Sequence, residues 1–189
     1  MSPDDYIDEI VDLWDERPVP PELVRLAKEA VERFPDIAEF RVRLVRAVIL
    51  ADRYPPSEAE PTDGSPQRSD TVDIGIPEFL THLTLAVQLD DSDPEAFEEL
   101  GYIYDIYIDD MIQAEYYFQQ AIERGGSEWC YSGLARVLEQ MGRREDAFRV
   151  LDTCPFQWAE CVIDMRGEIE RGEWDFRWCE SNDLMEDDE

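Results

Sequence analysis

Apolar residues return along most of this chain at three- and four-residue steps, the spacing that gives a helix one apolar face. Ile7, Ile10, Val11 and Trp14 form one such set, and Leu23, Ala27 and Ala30 another that Pro35 closes. The stretches "AEFRVRLVRAVILADRY" from Ala38 and "IPEFLTHLTLAVQLD" from Ile76 carry two more. The octet "YIYDIYID" at 102–109 alternates as a strand would, yet Phe97, Leu100, Gly101, Tyr104 and Ile108 run through it at helical steps. Asp93 suits the cap, Pro94 suits the first helical position, and Gly125-Gly126 stops a second helix beginning near Ile112. The alternation is therefore read as a helix with aromatics on two faces. After Pro155, Trp158, Val162, Met165 and Ile169 fall on one face of a further helix. The whole pattern predicts an all-α chain.

The helices also repeat. Leu134, Ala135 and Leu138 echo Leu100, Gly101 and Tyr104 at an offset of 34, and Gly142, Ala147, Leu151 and Cys154 fall where a turn and second helix belong. An aromatic, Leu-Gly three and four places on, an aromatic three beyond, then Ala114, Phe118 and Ala121: this series resembles the tetratricopeptide repeat. The resemblance implies two antiparallel helices per unit, stacked into a right-handed α-solenoid. Ala114 arrives one place late, which is read as a helix-to-helix turn longer by one residue. The units are expected at about 4–37, 38–93, 94–127 and 128–155, with a capping helix at 156–171 and an acidic tail at 172–189, all in one array. Unit starts move from Ala38 to Pro94, 56 places, so about 22 residues are inserted, near 54–75. That proline-rich polar insert is read as a loop, either a disordered excursion or a segment that lies over a groove or touches a partner. In the tail, Trp174, Phe176 and Trp178 either fold back over the cap or form an exposed docking element.

Composition narrows the function. With 189 residues and 43% hydrophobic content the chain can bury a core. Its 47 acidic against 17 basic residues give a formal charge of −30, which repels phosphate backbones and anionic membranes, so neither is an expected partner. Lys28 is the single lysine, a bias that fits a GC-rich genome or a salt-adapted proteome. The acidic start has no secretory pattern, and no apolar run approaches the roughly 18 residues of a membrane span, so the cytoplasm is the expected location. Cys130, Cys154, Cys161 and Cys179 form no CxxC pair and read as small hydrophobes rather than a zinc site or disulfide framework. His82, the one histidine, reads as a surface residue, and "DDSDPEAFEE" as a helix-capping turn rather than a calcium loop, given Pro94 and the absent central glycine. Phosphate loops, nucleophile elbows and HExxH are absent from the sequence, and no enzyme activity, cofactor or metal is expected.

The resemblance further implies that partners are held on the concave face, at the second, fifth, ninth and twelfth places of each first helix. In the first unit these are Asp5, Asp8, Asp12 and Asp15, and in the second Glu39, Val42, Arg46 and Ile49. The third supplies Glu95, Glu98, Tyr102 and Asp105, and the fourth Trp129, Ser132, Arg136 and Glu139. Such a surface would take a basic or amphipathic peptide, anchored on Tyr102 and Trp129 and steered by carboxylates. The same stripe is also what a solvated face looks like in so acidic a chain. Some members of the family clamp a chaperone's terminal carboxylate with Lys and Asn, and Asp8 and Asp12 stand in the way of that activity. Two readings stay open: an adaptor with an acidic groove, or a small acidic chaperone of the secretion type that holds client proteins.

Overall fold

A computed structural model gives the structure of residues 1–55 and 75–174, and all regular structure among them is helical. Most of the insert at 54–75, and the aromatics Phe176 and Trp178, lie outside the described residues. Two compact units divide the chain, the first ending at Asp91 and the second starting at Ser92.

In the first unit α1 (Pro3–Trp14), α2 (Pro21–Arg33), α3 (Ala38–Arg53) and α4 (Ile76–Leu89) each pack against the next. Helix α1 opens on a capping box: the Asp5 amide donates to Ser2 Oγ at 3.3 Å, and the Ser2 amide to Asp5 Oδ2 at 2.7 Å. Two donors that a helix end leaves unpaired are thereby satisfied. Of the set read on α1, Ile10 is buried, Ile7 and Trp14 are half-buried and Val11 is 50% exposed, because the inward stripe runs through Tyr6 instead. On the later helices the spacing lands inward, with Leu23, Ala27, Ala30, Phe40, Leu83 and Ala86 all buried. Tyr6 meets Phe34 and Phe40 edge-on, at centroid distances of 5.9 and 6.3 Å, and its hydroxyl donates to Glu29.

In the second unit, α5 (Pro94–Tyr102), α6 (Met111–Glu123), α7 (Glu128–Gln140), α8 (Arg144–Thr153) and α9 (Glu160–Arg171) pack in succession, and α7 touches both α5 and α9. The caps expected from sequence form: Asp93 Oδ1 accepts from the Glu95 amide at 2.9 Å, and Gly125, at φ 81°, turns the chain out of α6. The octet is helical, as its spacing implied, but from Ile103 to Ile108 it is a π-helix. The one-residue delay of Ala114 is absorbed there, not in the turn, which spans only Asp109 and Asp110. A π turn is what an inserted residue makes inside an α-helix: one wider loop, with the apolar face before and after it kept in phase. The matching turn of the following helix pair, between α7 and α8, runs from Met141 to Arg143, with Gly142 at φ 74° where Asp109 holds φ 62°.

The centre of this unit is Phe118, wholly buried on α6. A Cβ placed on Gly101 of α5 would stand 2.7 Å from the ring, and one on Gly133 of α7 only 2.6 Å. The two glycines let two backbones approach one ring from different sides, while Tyr102 meets it edge-on at 5.0 Å. Around it Leu134, Leu138, Ala147, Leu151, Val162, Met165 and Ile169 complete the core, with Trp174 packed against its edge.

Candidate partner-binding face

In the first unit Asp5, Asp8 and Asp12 are exposed on α1 and Asp15 at its C-cap, and the last turn of that helix holds no basic residue. Asp5 also has its capping duty. On α3, Glu39 is half-buried and takes Arg43 Nε and Nη2 at 2.9 and 2.6 Å, Arg46 is half-buried, and Val42 is core. His82 is half-buried on α4, 3.4 Å from Arg41 Nη1, and its own burial, then that guanidinium, holds its imidazole below the usual range.

In the second unit most groove places are engaged by contacts within the fold. Glu98 is buried, and its Oε2 accepts from Ser127 Oγ at 2.8 Å and Cys130 Sγ at 3.0 Å. The Tyr102 hydroxyl donates to the Trp129 carbonyl at 3.1 Å. Asp105 lies inside the π segment with its side chain 3% exposed, and Arg136 closes on it through Nε and Nη2. Ser132 Oγ reaches the Cys161 carbonyl at 3.2 Å, and Glu139 is buried against Arg144 at 2.9 Å. These contacts tie α5 to α7 and α7 to α9. Of the residues singled out from sequence in this unit, Trp129 is exposed and Tyr102 and Arg136 are partly so, whereas Glu98 and Asp105 face inward.

The electrostatics follow from this burial. Desolvation raises the Asp105 carboxyl, and the Arg136 charge only partly offsets it. Burial, then the nearby Glu98, pushes the Cys130 thiol and the Tyr102 phenol far up, so both stay protonated and neither is poised as a nucleophile. Cys154 is buried and Cys161 partly so, and their thiols are also raised by burial. No group of three His, Cys, Asp or Glu side chains among the described residues could hold a metal ion. No described helix is long and apolar enough to cross a membrane. In the first unit α1 presents exposed carboxylates, and in the second unit α7 presents an exposed indole.

Sequence reasoning missed Ser127 and Gly133, read Cys130 only as a small hydrophobe, and left Trp174 with two possible places. Trp174 follows α9, donates its Nε1 hydrogen to Glu168 Oε2 at 2.8 Å, and lies 5.5 Å from the Arg136 guanidinium. For the first of the tail aromatics, folding back is what the structure shows. Ser127 announced itself only as a helix cap, and nothing in the spacing of Gly133 marked its approach to Phe118.

No protein-family model matches the chain, and no curated protein sequence does. Among solved structures it is similar to the crystal structure of a thermophilic TPR protein of Thermus thermophilus, at 19% identity and a TM-score of 0.56. The match covers 79% of this chain and 71% of that one. With paired helices, Leu100-Gly101 against Phe118 and this neighbour, the chain has the all-α fold of the tetratricopeptide solenoid.

Proposed function

We propose that this protein is a non-catalytic interaction module whose first-helix face holds a basic or amphipathic segment of a partner protein. The observation that carries the reading is α1: Asp8, Asp12 and Asp15 stand exposed at three- and four-residue spacing, with no basic residue in the last turn to neutralise them. Like charges so spaced repel, and a cationic partner relieves that repulsion while gaining steering from the chain's charge of −30. In the second unit Trp129, exposed on α7, offers an apolar contact of its own, of the kind that dominates peptide binding.

The test is affinity capture from source lysate with two baits, the native chain and a variant carrying Asp8→Asn, Asp12→Asn and Asp15→Asn. Asp5 is left unchanged, because its carboxylate caps α1. A basic protein held by the native bait, released by salt and lost with the variant is the expected result. Capture of the same proteins by both baits would sink the reading.

A further inference from the structure

The tip of the second unit exposes large apolar side chains from two consecutive elements. Ile106 is 54% exposed in the π segment, with Tyr107 and Ile108 beside it, and Ile112 and Tyr116 on α6 are 70% and 51% exposed. The two-residue turn joins these elements, and Ile112 and Tyr116, four apart, share one face of α6. Beneath them Tyr117 meets Tyr116 edge-on at 5.1 Å and stacks on Tyr104 at 5.3 Å, so the patch rests on packed rings. Its backbone departs twice from the least costly path, in the π turn and in Asp109 at positive φ, where the matching turn uses glycine. Those departures leave apolar side chains in water rather than hiding them. Aspartates border the patch: Asp109 is exposed and Asp110 caps α6. Arg143 is held by both oxygens of Glu115 on α6 at 2.8 Å.

We infer that this tip is a docking surface for a cationic amphipathic helix of a partner protein. The apolar stripe of that helix covers Ile106, Ile112 and Tyr116, and its flanking Lys or Arg side chains meet Asp109 and Asp110. A second copy of this chain is a poor occupant, because it brings another acidic rim and a second charge of −30. The surface belongs to the second unit and α1 to the first, and the inference does not depend on the acidic-face reading.

The experiment follows isoleucine methyl signals of the full chain by NMR while a Lys/Leu peptide of about 18 residues, leucines at helical spacing, is added. A Glu/Leu analogue and a scrambled Lys/Leu peptide serve as controls. The expected result is saturable shifts at Ile106, Ile108 and Ile112 with the first peptide alone. Ile106→Ser and Ile112→Ser, both at exposed positions, should each weaken binding about tenfold with an unchanged circular dichroism spectrum. The Asp8, Asp12 and Asp15 triple variant should bind as the native chain does. Absence of binding, shifts centred elsewhere, equal binding of the scrambled peptide, or serine variants that bind like the native chain each overturn the inference. Native dimerisation abolished by Ile112→Ser would assign the surface to a second copy and overturn it as well.

Discussion

Changing Gly133 to Ala asks whether the close approach at Phe118 is a real constraint. In the middle of a helix, Gly→Ala ordinarily stabilises by about 1 kcal/mol, because alanine has less backbone freedom to lose. Here the new methyl would lie 2.6, 2.8 and 3.0 Å from three ring carbons of Phe118, where carbon atoms prefer about 3.5 Å or more. The ring would have to retreat by nearly 1 Å, toward Gly101 and α5, where space is equally short, while Tyr102 blocks a third side. Overpacking of this kind costs about 1–3 kcal/mol, so the net expectation for Gly133→Ala is a loss of about 1 kcal/mol. With Phe118→Leu already in place, the edge of the ring is gone and the same change should stabilise. The decisive quantity is thus the coupling in a double-mutant cycle, expected at about 2 kcal/mol. Urea unfolding followed by tryptophan fluorescence measures it, since Trp129, Trp158 and Trp174 all lie in this unit. Amide exchange in α5 to α7 separates its unfolding from that of the first unit. Additive effects, or a Gly133→Ala variant more stable than the native chain, would refute the reasoning.

Three further outcomes are expected. Because burial raises the Asp105 carboxyl, the folded chain binds its proton more tightly than the unfolded chain does, and Asp105 adds stability as pH falls from above its raised value toward the ordinary 3.8. The stability difference between the native chain and Asp105→Asn should be flat near neutral pH and move in favour of the native chain on acidification, read by urea unfolding at a series of pH values. A difference that moves the other way contradicts the burial account. Asp12→Asn removes a carboxylate that stands three or four places from Asp8, Glu9, Asp15 and Glu16 and should raise the stability of the first unit slightly at low salt and not at high salt, by thermal unfolding at both. Cys130, buried and held protonated beside Glu98, should resist iodoacetamide at pH 8 in the native chain and react in urea, as mass spectrometry of the labelled peptide would show.

The helices were legible because their evidence is local. Asp93, Pro94 and Gly125 act within one turn of where they stand, and the apolar steps around Phe97 and Leu100 report a face directly. The repeat was legible because Leu100 and Gly101 return as Leu134 and Ala135 at an offset of 34, and all four are buried. The inner face was less so. Periodicity assigns a charged residue to solvent, yet Glu98 is buried by Ser127 and Cys130, and Asp105 by Arg136, partners 29 to 32 residues away. No local window holds both members of such a pair. The extra residue before Ala114 could be counted but not located, because a longer turn and a π turn leave the same spacing.

The polar contacts between α5 and α7 also give the units an order. If the 94–127 unit were followed by a copy of itself, Glu98 would meet the equivalents of Asp93 and Ala96 in place of Ser127 and Cys130, and Asp105 would meet a tyrosine in place of Arg136. One carboxylate would face another and the second would lose its counter-ion. Apolar repeat positions are interchangeable from unit to unit, but these pairs are not. They act as a key between neighbours that allows one sequence of units and discourages its permutations.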